Sequence, residues 1–448
     1  IVGAEHVLTS EMDLTLYGYD ASTEKGGPDV VVLPGSTEEV SQVMALAHQD
    51  KIPVIGRGSG TNLSGGTIPT RGGIVVHFSR MNRILEIDIP NRTVTVEPGV
   101  ITLELQNRLL AEGFVYVPDP ASQKVSTLGG NLGENSGGPH CLKYGVTTNH
   151  VLGAEVVLYD GTVIWTGGKS QDNPGYDLTG VLVGSEGTLG LVTKMILKIV
   201  RAPETVKTLL AIFDNIEDAS NTVSAIIAEG IVPATLDMMD NVVMGAVEAS
   251  VHAGYPLDAA AVLIIELDGM ADGMDRQAEK ILEICRRHSV REIQVAKDDG
   301  ERAKLWAGRK GAFGAITRLK PSYMVCDGTV PRTKLPEVLS KVLEIGKKYG
   351  LLIGNVFHAG DGNLHPLILF DERDDEERES AKKAAAEILK ICADAGGTIS
   401  GEHGIGLEKM KEMFFVFSES DLEAMRQVKR AFDPEDILNP GKVIPGKA

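Results

Sequence analysis

Two kinds of hydrophobic pattern divide the chain, with the change near residue 200. Upstream, from residue 28, short Val/Ile-rich runs such as DVVVL, PVIG, GIVVHF and TVTVEPG are separated by glycine-dense loops, and their length predicts strands. Between the first two runs, STEEVSQVMALAHQD predicts a helix begun by Ser36 or Thr37, with Glu38 and Glu39 favouring its first turn. After Pro203 longer amphipathic stretches predominate and predict helices of several turns. Residues 375–395 form the strongest of these, with Gly396 and Gly397 as the stop and the acidic run 371–379 as its solvated start.

The 448 residues are about three times a 150-residue domain, so two or three domains are expected. The boundaries assigned are 1–200, 201–405 and a C-terminal helical segment 406–448 that packs back on the first domain. Forty-three per cent apolar residues supply a core, and 24 per cent charged residues are ordinary for a globular chain. With 44 basic and 62 acidic residues the net charge is −18, which repels phosphate backbones and argues against a nucleic-acid partner. No apolar run reaches the roughly 18 residues of a membrane span, and IVGAEHVLTS lacks a signal-peptide pattern, so a soluble cytoplasmic protein is expected. Because the chain starts at Ile1, a preceding native segment is allowed for. Cys141, Cys285, Cys326 and Cys392 are too scattered for a zinc ribbon or an iron–sulfur cluster, so any cluster relay belongs to another subunit.

Glycine makes up 51 of the 448 residues, about 11 per cent against a usual 7. Much of it lies in three loops, 56–66 (GRGSGTNLSGG), 118–145 and 184–192 (GSEGTLGLV), whose Cβ-free positions allow amides to converge on phosphate. The first loop places Thr61 where the Rossmann pattern needs glycine, and WTGGKS lacks the first glycine of a Walker loop, with Val163 in its place. Both common nucleotide folds are therefore disfavoured.

A second constellation lies downstream. In GNVFHAGDGNLHP, a two-residue turn at Asp361 and Gly362 would put His358 directly opposite His365 on adjoining strands, close enough to share a divalent ion. GEHGIG adds Glu402 and His403. Two imidazoles and one carboxylate leave coordination positions open, as a catalytic site requires, and would accept zinc, manganese or iron. Residues 301–320 carry six basic residues and one acid. Read as a helix, Leu305, Arg309, Ala312 and Ile316 share one stripe, so Arg309 faces inward, toward a ligand carboxylate or a structural acid.

The succession PGSTEEV, GRGSGTNLSGG, STLGGNLGENSGG, KYGVTTNHVLGAEVVLYDG and GSEGTLG resembles the flavin domain of the vanillyl-alcohol-oxidase and p-cresol-methylhydroxylase family. The resemblance implies an α+β fold. A two-subdomain FAD-binding domain would be joined to an α+β substrate (cap) domain, with C-terminal helices returning to the flavin. It puts the pyrophosphate on Arg57, Gly58, Ser59, Gly60, Thr61 and Asn62 and on Ser126, Thr127, Gly129, Gly130 and Asn131. Gly184, Glu186, Gly187 and Gly190 would flank the adenosine end. Pro34, Gly56, Gly65, Pro118, Asn135, Ser136, Gly137, Gly138, Tyr144, Gly145, Val192 and Asn439 complete the expected cofactor set. The first loop has no histidine, so the FAD is expected to be noncovalent.

The downstream motifs resemble FAD-linked 2-hydroxyacid dehydrogenases, the D-lactate dehydrogenase and glycolate oxidase FAD-subunit group. This implies His358, His365 and Glu402 as metal ligands, His403 as general base, Arg309 and Lys320 for the substrate carboxylate, and NPGK (439–442) as a tail at the flavin site. Leu367 stands where the 2-hydroxyglutarate enzymes carry asparagine, which argues against a dicarboxylate. The expected reaction is oxidation of a small D-2-hydroxy acid, with electrons passed to an electron-transferring flavoprotein or an iron–sulfur subunit. A homodimer or a hetero-oligomer is the expected assembly. Two rivals stand beside it, a non-redox enzyme of the alkyl-dihydroxyacetonephosphate synthase type and a catalytically silent FAD subunit.

Overall fold

Ser36 begins the first long helix, Thr37–Asp50, by accepting a hydrogen bond from Glu39 N at 3.3 Å, and the helix buries Val40, Val43, Met44 and Ala47 at helical spacing. It packs on a four-stranded sheet ordered Val7–Leu8, Val30–Val32, Ile74–His77, Val54–Arg57, the last three parallel. Residues 1–170 and 174–446 are described by this computed structural model. The C-terminal segment covers the sheet edge. Val54 N donates to Ile437 O and Asn439 N to Val54 O, both at 2.7 Å, so the exposed edge gains a partner.

A second sheet of five antiparallel strands runs Ile84–Asp88, Thr93–Val96, Leu191–Lys198, Val151–Val157, Val163–Gly167. Val94, Val96, Met195 and Leu197 meet Leu105, Leu109, Leu128 and Leu132 in its core. These two subdomains, with the C-terminal residues, make one compact unit (Ile1–Gly138, Gly145–Ala202, Glu402–Ala448). They are the expected pair of α+β subdomains.

The other unit, Pro139–Tyr144 with Pro203–Gly401, is built on a seven-stranded antiparallel sheet. Its order is Glu292–Val295, Thr205–Phe213, Ala261–Gly269, Thr235–Asp240, Leu352–His358, Pro366–Phe370, Ser322–Val325. On one face Leu210, Ile212, Val262, Ile264, Met239, Val356, Leu367 and Leu369 pack against helices Asn241–Val251 and Asp299–Ile316. The alternate positions Leu209, Ala211 and Phe213 are buried too, so both faces are covered. Residues 375–395 form the expected helix, Asp375–Asp394, with Asp374 accepting at its N-terminus. Among the described residues no helix is long and apolar enough to cross a membrane.

Candidate active site

Strand parity fixes what shares a face with the core just described. Met239 pairs with Val356, both in that core, and two residues along Asp237 pairs with His358. Because side chains alternate, Asp237 and His358 project to the same side, under the helix that carries Arg309. His358 Nδ1 lies 2.8 Å from Asp237 Oδ1, and Arg309 Nε donates to Asp237 Oδ2 at 2.5 Å. All three side chains are buried. Burial alone would raise the Asp237 carboxyl, but Arg309 and His358 beside it hold it below the usual range.

The hairpin differs from expectation. His358 pairs with Asn363, not His365, and Asn355 pairs with Pro366, so four residues, 359–362, close the loop. Tertiary contacts hold this longer loop: Gly360 N donates to Leu236 O, Arg332 Nε to Gly360 O, and Val330 N to Gly362 O. Gly362, at φ 75°, approaches so closely that a Cβ would stand 2.1 Å from Val330 O. The shift moves the partner by two residues, an even number, so His365 stays on the same face. The two imidazole centroids lie 5.2 Å apart at 89°, and His365 Nδ1 is 3.7 Å from the fully buried Asp327. Asp327 in turn accepts from Ser400 Oγ at 2.7 Å and from Gly401 N at 3.0 Å, fixing the start of the GEHGIG segment. Glu402 follows Gly401 directly in the chain.

From His403 onward the segment is tied into the first unit. Ser64 Oγ donates to His403 O at 3.1 Å, and Leu407 N donates to Ser64 O at 2.8 Å. Ile405 N and Gly406 N donate to Glu186 at 2.7 and 2.8 Å. Glycine at 404 and 406 is required for this approach, since a Cβ at Gly406 would lie 2.1 Å from Ser64 O. Asn439 Nδ2 donates to Gly66 O (2.8 Å) and Glu186 O (2.6 Å), and Lys442 to Asn439 Oδ1. The tail thus clasps the first and third glycine loops together. Burial pushes Glu186 up to about 7, against the pull of the Ile405 and Gly406 amides and of Lys409 and Lys442.

The loops themselves suit a diphosphate. Among the described residues, the consecutive amides of Ser59, Gly60 and Thr61 make no hydrogen bond to the chain. Beside them a Cβ on Gly58 would stand 2.2 Å from Thr127 Oγ1, so glycine is what lets the first loop and the Thr127 side chain of the second meet here. Arg57 braces the first loop from below, donating to Tyr19 O and Thr67 Oγ1. Replacing Gly58 by valine should therefore abolish FAD retention, read as loss of flavin absorbance in a protein that still folds by circular dichroism. Other expected cofactor residues have structural partners. Asn131 Nδ2 donates to Thr102 Oγ1, Ser126 Oγ shares a hydrogen bond with Thr102 Oγ1, Asn135 Oδ1 accepts from Thr148 N, and Tyr144 OH donates to Asp268. Lys320 is ion-paired with Glu377 at 2.7 Å.

Asp237, Asp327 and Glu134, which stands with the expected Glu186 against Gly404, are the candidate-site residues that sequence reasoning missed. Asp237 sits in no motif, and only its pairing with His358 reveals it.

The FAD binding domain family matches residues 28–167, and the FAD linked oxidases, C-terminal domain family matches residues 202–443. Together they define a flavin-dependent oxidoreductase of two-domain build. The chain belongs to the FAD-linked oxidase family, in the vanillyl-alcohol-oxidase and p-cresol-methylhydroxylase fold group. It is 45% identical over 446 residues to glycolate oxidase subunit GlcD of Bacillus subtilis (strain 168), covering 99% of this chain and 95% of that one. Identity to GlcD of Escherichia coli (strain K12) is 42% (98% and 88% covered), and to the mitochondrial D-lactate dehydrogenase [cytochrome] of Arabidopsis thaliana 31% (93% and 74%). The fold is that of p-cresol methylhydroxylase with substrate bound, with a TM-score of 0.81 at 18% identity, covering 99% of this chain and 94% of that one.

Proposed function

We propose that this FAD-linked oxidoreductase oxidises a small 2-hydroxy acid, D-lactate or the achiral glycolate, to the 2-keto acid and passes the electrons to a protein carrier. One observation carries the reading: a buried arginine and a buried imidazole, Arg309 and His358, share the Asp237 carboxylate, and a second buried imidazole, His365, meets His358 edge-on on the same sheet face. Likeness to the GlcD subunits and to D-lactate dehydrogenases supports the substrate class. The subunit character of GlcD supports a hetero-oligomer. The acceptor in this reading is an electron-transferring flavoprotein or an iron–sulfur subunit.

Arg309 gives Nε to Asp237 and keeps its terminal nitrogens for the substrate carboxylate, a geometry guanidinium suits. Lys320, expected beside that carboxylate, is held by Glu377 next to Phe370, at the end of its strand away from His365, and has no part in this reading. The donor chemistry of His358, His365 and Glu402 fits a divalent ion, which would supply Lewis acidity toward the substrate hydroxyl. The His403 imidazole takes the hydroxyl proton. The glycine loops would hold FAD noncovalently, and the flavin when bound would supply a two-electron acceptor for the α-hydrogen.

The test is anaerobic mixing of the yellow holoprotein with D-lactate or glycolate. Bleaching of the flavin band is expected, lost after chelation and restored by zinc or manganese. Absence of bleaching in metal-replete protein would refute the substrate assignment, and bleaching indifferent to chelation would refute the metal.

A further inference from the structure

The carboxylate of Asp237 stands between two groups with different tasks in the proposed reaction. An ionised carboxylate only accepts hydrogen bonds, and Arg309 Nε only donates. The 2.8 Å contact to His358 Nδ1 is therefore made by an Nδ1–H, which leaves Nε2 as the imidazole's lone-pair nitrogen. The same carboxylate's other oxygen fixes the guanidinium through Nε. Asp237 is 1% exposed and sits on a central strand of the sheet, directly across from His358, so neither contact has slack to wander.

We infer that Asp237 is a positioning residue that sets the metal-binding nitrogen of His358 and the carboxylate-binding edge of Arg309 at once, coupling metal retention to substrate recognition. The inference rests on the roles given above to His358 and Arg309. A partner carboxylate on the outer nitrogen of a ligand histidine sharpens both tautomer and ring orientation, and its loss weakens metal binding about 10–100-fold. Here one carboxylate does this while aligning the group that receives the other end of a small hydroxy acid. His365 has its own buried acid in Asp327, at a longer 3.7 Å, so the coupling is specific to the Asp237 pair.

Asp237→Asn is the discriminating variant. Its side chain keeps the shape but has one accepting and one donating arm: with Oδ1 toward Arg309, Nδ2 donates to His358 Nδ1 and forces the imidazole proton onto Nε2, and with Oδ1 toward His358, Nδ2 faces the Arg309 Nε–H donor to donor. Calorimetric titration of the chelated holoprotein with zinc should show affinity lowered about 10–100-fold. At saturating zinc, KM for the hydroxy acid should rise while FAD content stays at the wild-type level. Unchanged zinc affinity and unchanged KM would overturn the inference. If wild-type protein takes up no zinc, the metal reading fails by itself. Nitrogen-15 NMR of histidine-labelled wild-type protein, assigned with His358→Gln, decides the positioning role in that case and also if Asp237→Asn does not fold. An Nδ1–H signal for His358 supports it, and a proton on Nε2 overturns it.

Discussion

Replacing His403 by alanine should slow flavin reduction by substrate roughly 10²–10⁴-fold while leaving FAD bound. The separation of the two effects follows from how the residue is anchored. Its backbone carbonyl, not its ring, accepts from Ser64 Oγ, and the neighbouring Ile405 and Gly406 amides hold Glu186. An alanine keeps every one of those bonds, so the clasp on the first and third glycine loops survives. What disappears is the imidazole proposed to take the hydroxyl proton. Anaerobic stopped-flow absorbance checks this directly, and a wild-type reduction rate in a fully flavinated variant would remove His403 from the chemistry.

Changing His365 to asparagine should empty the proposed metal site and lower kcat/KM by about 10³, or roughly 4 kcal/mol of transition-state stabilisation. The ring is 1% exposed and meets His358 edge-on, so no neighbouring solvent ligand can take its place without rearrangement. Asparagine retains a polar head toward Asp327, which limits the structural damage. The glycine loops belong to the other unit, so FAD content should be untouched. Metal analysis beside steady-state kinetics provides the check; full metal occupancy in the variant would exclude His365 as a ligand.

Several elements were legible in the chain because their causes are local. The Ser36 cap and the apolar spacing of Val40, Val43, Met44 and Ala47 define a helix wherever they occur. The stripe through Leu305, Arg309, Ala312 and Ile316 likewise fixes Arg309 inward before any partner is known. The hairpin near His358 shows the opposite. Asp361-Gly362 has the chemistry of a two-residue turn, yet contacts from Leu236, Val330 and Arg332 draw the loop out to four residues. Those contacts come from residues up to more than a hundred positions away, and no local pattern encodes them.

The amino-acid order alone determined the glycine loops, the residue types available for a flavin and a cation, and which side of each helix turns inward, since these depend on neighbours within a few residues. Tertiary structure decided the rest. It chose Asp237 as the acid beneath His358 and Arg309, and it used the glycines of GEHGIG to admit the Ser64 loop. It also brought Asn439 back across Gly66 and Glu186. Each of these depends on strands and loops distant in sequence meeting at hydrogen-bond range, which periodicity does not specify and only packing of the whole chain can set.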